Sequence, residues 1–260
     1  MNNSNKNILD SIWLWCHSAG SYNGRWEVPG ESNISPVEAA AYFGIKNSIM
    51  VVFDNKPLPP FENYARQFSN MDKLVWSVIG DAGSKRNNDE SDLQPVLNLK
   101  KSMPNLCGAI MDDFFGNGRD NLEAVKNIAK KLHTVGLELW VVLYDHQLDH
   151  PNLKEFLDCC DVINFWTWRP ENLSNLEDNL ANIRNLAPDK DIAQGIYLYD
   201  FEGGEVLDSD TMQKQCDIAR AQYMKGLIRD IVILGSPLVG MEVKTVEWCQ
   251  KWIEILKNSL

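Results

Sequence analysis

The chain is poor in the residues from which metal centres and lysine-based active sites are made. Its 260 residues include only four histidines, none in an HxH pair. Six cysteines occur, Cys16, Cys107, Cys159, Cys160, Cys216 and Cys249, with no CxxC or other metal spacing. That excludes a zinc-finger framework. In a chain of this size it favours reduced, buried thiols over a disulfide scaffold. No apolar run approaches the ~18 residues of a membrane-crossing helix. The opening residues, MNNSNKNILDSIWLWC, lack a basic stretch followed by an apolar one. A cytoplasmic location is therefore expected unless a leader was removed. Positive charge is also scarce: 25 Lys and Arg face 36 Asp and Glu, a formal net charge of -11. Such a balance disfavours nucleic acid and anionic membranes as partners and leaves neutral or cationic ligands.

What is present is a long alternation. Short apolar runs bounded by turn residues read as strands buried on both faces, the pattern of parallel sheets. There are eight: SIWLWCH from Ser11, SIMVVFD from Ser48, KLVWSVIG from Lys73, LCGAIMDDFF from Leu106, LELWVVLYDH from Leu137, DVINFWTWR from Asp161, DIAQGIYLY from Asp191 and DIVILG from Asp230. Helical stretches separate them. Ser35-Pro36-Val37-Glu38 is a capping box with proline in the first turn, and Gly44 is placed to end that helix. Asp120 stands as a cap before Leu122, Val125, Ile128, Ala129 and Leu132, which share one helical face. Eight strand–helix repeats in a chain near the ~250 residues typical of a (β/α)₈ barrel predict that fold, as one domain over residues 1–260.

In such a barrel the active site lies at the C-terminal ends of the strands. The fourth run ends in Asp112 and Asp113, and its apolar body marks it as the stretch around which the site is organised. The other ends carry His17, Asp54, Asp81, then Tyr144, Asp145 and His146, then Trp166, Trp168 and Arg169, then Tyr197, Tyr199 and Asp200. No lysine stands at any of them, which counts against a Schiff-base enzyme. Asp54, Asp81 and Asp200 read as caps and loop residues. Side chains alternate along a strand, so only one of Asp112 and Asp113 is expected to face the mouth. Carboxylates among aromatic rings suit a sugar, whose apolar ring faces stack and whose hydroxyls pair with acids. The expected chemistry is glycoside cleavage by Asp112 or Asp113 acting with Asp145. His17, Tyr144, His146, Trp166, Trp168, Arg169, Tyr197 and Tyr199 then form the carbohydrate-binding surface. No motif asks for a cofactor. Two alternatives stay open: a barrel that binds carbohydrate without cleaving it, and a metal-dependent hydrolase using His17, Asp112 and His146.

The sixth and seventh runs carry a family likeness. DVINFWTW resembles the D-x-I-N-x-M-T-Y strand of the family 18 chitinase-like glycoside hydrolases, and IAQGIYLYDF resembles the strand that follows it. Aligned through Gly108, the fourth run meets that family's D-G-x-D-x-D-x-E motif with Asp112 on its last aspartate. Cys107 and Ile110 replace the first two aspartates, and Phe114 stands where the catalytic glutamate belongs. The resemblance implies a sugar-directed barrel and does not bring that family's acid with it.

Overall fold

A computed structural model of the chain describes residues 7–84, 91–115 and 121–258. Eight strands run in parallel and close on themselves in sequence order. They are β1 (Ile12–Cys16), β2 (Asn47–Met50), β3 (Lys73–Ile79), β4 (Leu106–Met111), β5 (Glu138–Tyr144), β6 (Val162–Trp166), β7 (Asp191–Tyr197) and β8 (Asp230–Leu234). The returning helices are α1 (Pro36–Phe43), α2 (Glu62–Ala65), α3 (Leu93–Ser102), α4 (Leu122–His133), α5 (Leu153–Cys159), α6 (Leu176–Leu186), α7 (Ser209–Met224) and α8 (Lys244–Asn258). This is the (β/α)₈ barrel that the alternation predicts. No described helix is long and apolar enough to cross a membrane.

Local signals explain most boundaries. Ser35 accepts from the Glu38 amide while the Glu38 carboxylate takes the Ser35 N–H, so the predicted capping box closes. Gly44 ends α1 in the left-handed region, with φ 67°. The cap predicted at Asp120 lies outside the described residues, and Asn121 accepts from the Ala124 amide at the start of α4. Two elements depart from expectation. The second strand stops at Met50 because the chain folds back at Phe53 and Lys56, which bond each other across Asp54 and Asn55 in the left-handed region. The helix expected from Phe61 to Met71 is one α-turn followed by a 3-10 turn over Arg66–Asn70, with no side-chain cap at Phe61.

Tryptophans fill the barrel. Trp13 on β1 meets Trp140 on the opposite strand β5 with ring centroids 5.1 Å apart, and Trp15 meets Trp166 on β6 at 5.4 Å. Rings on strands so far apart in the sheet can touch only through the lumen. Glycine makes the room: a Cβ on Gly195 would stand 2.1 Å from the Trp166 ring, and one on Gly108 3.0 Å from Trp140 Nε1. At the N-terminal end Arg229 ties the layers together. It bonds Glu138 at 2.8 Å, Asp191 at 2.9 Å and the buried Asp230 at 2.6 Å, and lies over Trp140. Trp13 Nε1 donates to the second oxygen of Asp230, and Trp140 Nε1 shares Glu138 Oε2 with Arg229. A cleft of about 700 Å³ opens at this end, between Asp10, Trp13, Lys73, Cys107, Glu138 and Arg229. Arg229 and its carboxylates pair with one another there, and barrels of this kind carry their sites at the opposite end. All six cysteines are free, and burial pushes the Cys16 and Cys160 thiols up to about 12 and Cys107 to about 11.

Candidate functional site

A cavity of about 360 Å³ opens at the C-terminal mouth of the barrel. Its floor is the indole layer of Trp15 and Trp166 with His17 beside it, and its acids are Asp81, Asp112 and Asp113. Asp112 continues the sheet by donating its N–H to Ile79 O, and only 4% of it is exposed. The Asp113 amide then donates to Asp112 Oδ1, and the backbone swings into the left-handed region with φ 42°. That turn breaks the strand alternation. Both carboxylates therefore line the mouth, where the pleat alone predicts one.

Asp113 is held from two sides. Its Oδ2 accepts from the Ala82 amide at 2.9 Å and its Oδ1 from the Tyr144 hydroxyl at 3.0 Å. Asp81 accepts from the Asp54 and Gly83 amides and from Ser84 Oγ, and burial raises its carboxyl above the usual range. Tyr22, Tyr144 and Tyr197 all have phenols pushed well above the ordinary value, first by burial and then by the charges of Asp112 and Asp113. They stay protonated, and Tyr144 donates to Asp113.

The upper wall comes from the long connection between β1 and α1. Tyr22 packs edge-on against Trp26, Phe53 and Phe201, and the Tyr199 hydroxyl donates to the Trp26 carbonyl. Arg25 lies over the Phe53 ring and bonds Asp54. None of Tyr22, Arg25, Trp26, Phe53 and Phe201 is a candidate on the strand-end criterion. A signal was available: a structureless connection longer than about 15 residues and carrying aromatics is uncommon unless it serves a site. Asp81, read as a loop acid, does both jobs.

The other candidates separate into groups. Trp166, Trp168, Tyr144 and Tyr197 line the mouth as expected. His17 also borders it, but Trp15 Nε1 donates to His17 Nε2 and the ring is fully enclosed, so burial lowers its pKa to about 3 and it stays neutral. Its Nδ1 is buried on the side of the Val51 backbone. His146 stacks on Tyr144 and faces a neighbouring cleft. Tyr199 does not line the mouth: it packs on Phe201, donates to the Trp26 carbonyl and borders a small pocket beside Trp168. Asp145 and Arg169 sit beyond Trp168 in another cleft. There Asp145 accepts from the Trp168 amide and the Asn172 side chain, tying two loops together, while Arg169 bonds Glu202 at 2.5 Å.

These placements correct the expected chemistry. Asp145 and the Asp112–Asp113 pair do not share one cavity, so the acid–base couple is not assembled. Phe114 is buried against Phe115 and Phe156, outside the mouth. His17, Asp112 and His146 are not gathered either, and among the described residues no cluster of His, Cys, Asp and Glu is arranged to hold a metal ion.

Comparison with known proteins points the same way. No protein-family model matches the sequence, and a comparison with curated proteins finds no match. Solved structures do match in fold. The tryptophan synthase complex of Pyrococcus furiosus superposes with a TM-score of 0.54 at 11% identity over 96% of this chain and 98% of that one. The tryptophan synthase A-subunit from the same organism gives 0.54 at 12% identity over the same shares. A protein of Aquifex aeolicus VF5 gives 0.53 at 12% identity over 98% and 94%. At this identity the likeness is one of fold alone. The tryptophan synthase neighbours overturn the resemblance to family 18 glycosidases. The glycoside-cleaving and carbohydrate-binding readings, drawn from the acids and rings at the strand ends as well as from that likeness, are corrected with it.

Proposed function

We propose that the mouth of the barrel is a binding site for a small organic cation, an ammonium carrying an apolar or aromatic group. One observation carries this reading: Asp112 and Asp113 enter a cavity whose walls are Tyr22, Trp26, Tyr144, Trp168 and Tyr197. Aromatic faces are negative at their centres and attract a cation, most strongly when water is excluded. Carboxylates beside them fix where the charge sits. The cavity's size suits a single small molecule. The net charge of -11 adds a favourable long-range field for a cation.

The acids are set before any ligand arrives. Asp113 holds a left-handed backbone that costs about 1–3 kcal/mol in a non-glycine residue. Its carboxylate is fixed by Ala82 and Tyr144, so little rotamer freedom is left to lose on binding. A bound ammonium is attracted by the negative charge of these carboxylates, while its apolar part covers Trp166 and Tyr197. The reaction of the tryptophan synthase neighbours is not carried over. A mouth lined by three aspartates disfavours a ligand of wholly negative charge such as phosphate.

Tryptophan fluorescence tests the reading, because Trp15, Trp26, Trp166 and Trp168 border the cavity. Titration with alkyl- and arylalkyl-ammonium salts is expected to quench it saturably, with arylalkyl salts binding more tightly. Asp112→Asn and Asp113→Asn are each expected to weaken binding by about tenfold or more. Identical titration curves in wild type and both variants would refute the assignment.

A further inference from the structure

Resting on the reading of the mouth as a cation site, we infer that its ligand is a zwitterion of the amino-acid type, with the carboxylate received by Arg25. Arg25 is the one cationic side chain among the described residues that line the cavity, His17 being neutral. It stands over Phe53 at the β2 side of the mouth, with its guanidinium carbon 5.2 Å from the ring centroid. The Asp113–Tyr144 bond stands at the β4–β5 side. Arg25 and Asp113 thus border one small cavity from different strand ends, with Asp81 between them at the end of β3. A simple ammonium meets only the acids, and a zwitterion meets Arg25 as well.

Arg25 has capacity for this. Among the described residues its side chain makes one hydrogen bond, from NH2 to Asp54 Oδ2 at 2.6 Å. The guanidinium carries five donors in a planar fork, so an edge remains for a carboxylate. The ion pair with Asp54 is about half exposed on both sides, and an exposed pair adds little to stability. Stability therefore does not account for an arginine at this point. Asp54 and the Phe53 ring instead fix the direction of the guanidinium. The backbone of the next residues is strained, with Trp26 and Glu27 both in the left-handed region, which holds Arg25 and Trp26 over the opening. Between the two poles, Tyr22, Trp26 and Phe201 offer an apolar face to the ligand's side chain.

The test compares phenylalanine with phenylalaninamide, which keeps the ammonium and loses the carboxylate charge, by titration calorimetry of the full chain. Wild type is expected to bind phenylalanine about tenfold more tightly than the amide. Arg25→Met is expected to remove that preference by weakening phenylalanine alone, and Arg25→Lys to keep part of it. If Arg25→Met fails to fold, Arg25→Gln carries the same comparison. Equal binding of the two compounds by wild type overturns the inference, as does a preference that survives in Arg25→Met. Binding of phenethylamine without binding of phenylalanine overturns the zwitterion and leaves the cation site standing. Binding of none of the three overturns both.

Discussion

Asp113 is the residue on which the site turns. Its left-handed backbone is tolerated about equally by asparagine, and Asn keeps the shape of the side chain. Asp113→Asn is therefore expected to leave the melting temperature within about 2 °C of wild type while weakening ammonium binding. Tyr144→Phe separates position from charge: it removes the hydroxyl that donates to Asp113 Oδ1 and leaves the charge in place. It is expected to weaken binding by less than Asp113→Asn, because a carboxylate that is free to rotate still attracts a cation. Titration calorimetry of the two variants side by side checks that order. The sequence made the position of Asp113 legible and its geometry not. A strand ending in two acids is visible in LCGAIMDDFF, but the alternation rule applies only while the chain stays extended. It fails where the Asp113 amide turns back to its neighbour's carboxylate. Asp145 misled for a related reason. At a strand end, an acid that ties two loops together has the same sequence signature as one that lines a site, and only its partners, the Trp168 amide and Asn172, tell them apart.

Between elements, two contacts make separate predictions. The Trp166 ring lies flat against Gly195 on the neighbouring strand. Gly195→Ala forces that ring out of its place, and a cost of about 1–3 kcal/mol is expected by urea denaturation, together with a loss of ligand binding as the floor of the mouth shifts. The second contact joins the loops after β6 and β7. Glu202 accepts from Trp168 Nε1 and Arg169, in that order of influence, and both hold its carboxyl below the usual range. A depressed carboxylate contributes above its unfolded value and is lost as pH falls through the lower folded value. The latch is expected to hold as pH falls to the ordinary glutamate range near ~4.3 and to open below it. The Trp168 indole N–H resonance, assigned by Trp168→Phe, reports this: it should stay fixed down to that pH and move beneath it. The strand and helix count was legible because apolar runs and caps are local signals. The roof of the mouth was not. Tyr22, Trp26, Phe53 and Phe201 meet only after β1, β2 and β7 have been brought together.

As a whole the molecule divides its work between its two ends. The N-terminal end is tied together by Arg229 and its three carboxylates, and Arg229→Met leaves the buried Asp230 without its cation. A loss of about 3–5 kcal/mol is expected on urea denaturation, with ligand binding retained by the fraction that stays folded. The C-terminal end carries aspartates among aromatic rings, and the claim about it is one of charge. The most direct measurement is titration calorimetry with phenethylamine and with phenethyl alcohol, which has nearly the same shape and no charge, at low ionic strength. The account predicts that wild type prefers the amine by about tenfold or more, and that Asp113→Asn and added salt each reduce the preference. Binding of the alcohol as tightly as the amine would contradict it, because the mouth would then be an apolar cavity whose acids serve the fold alone.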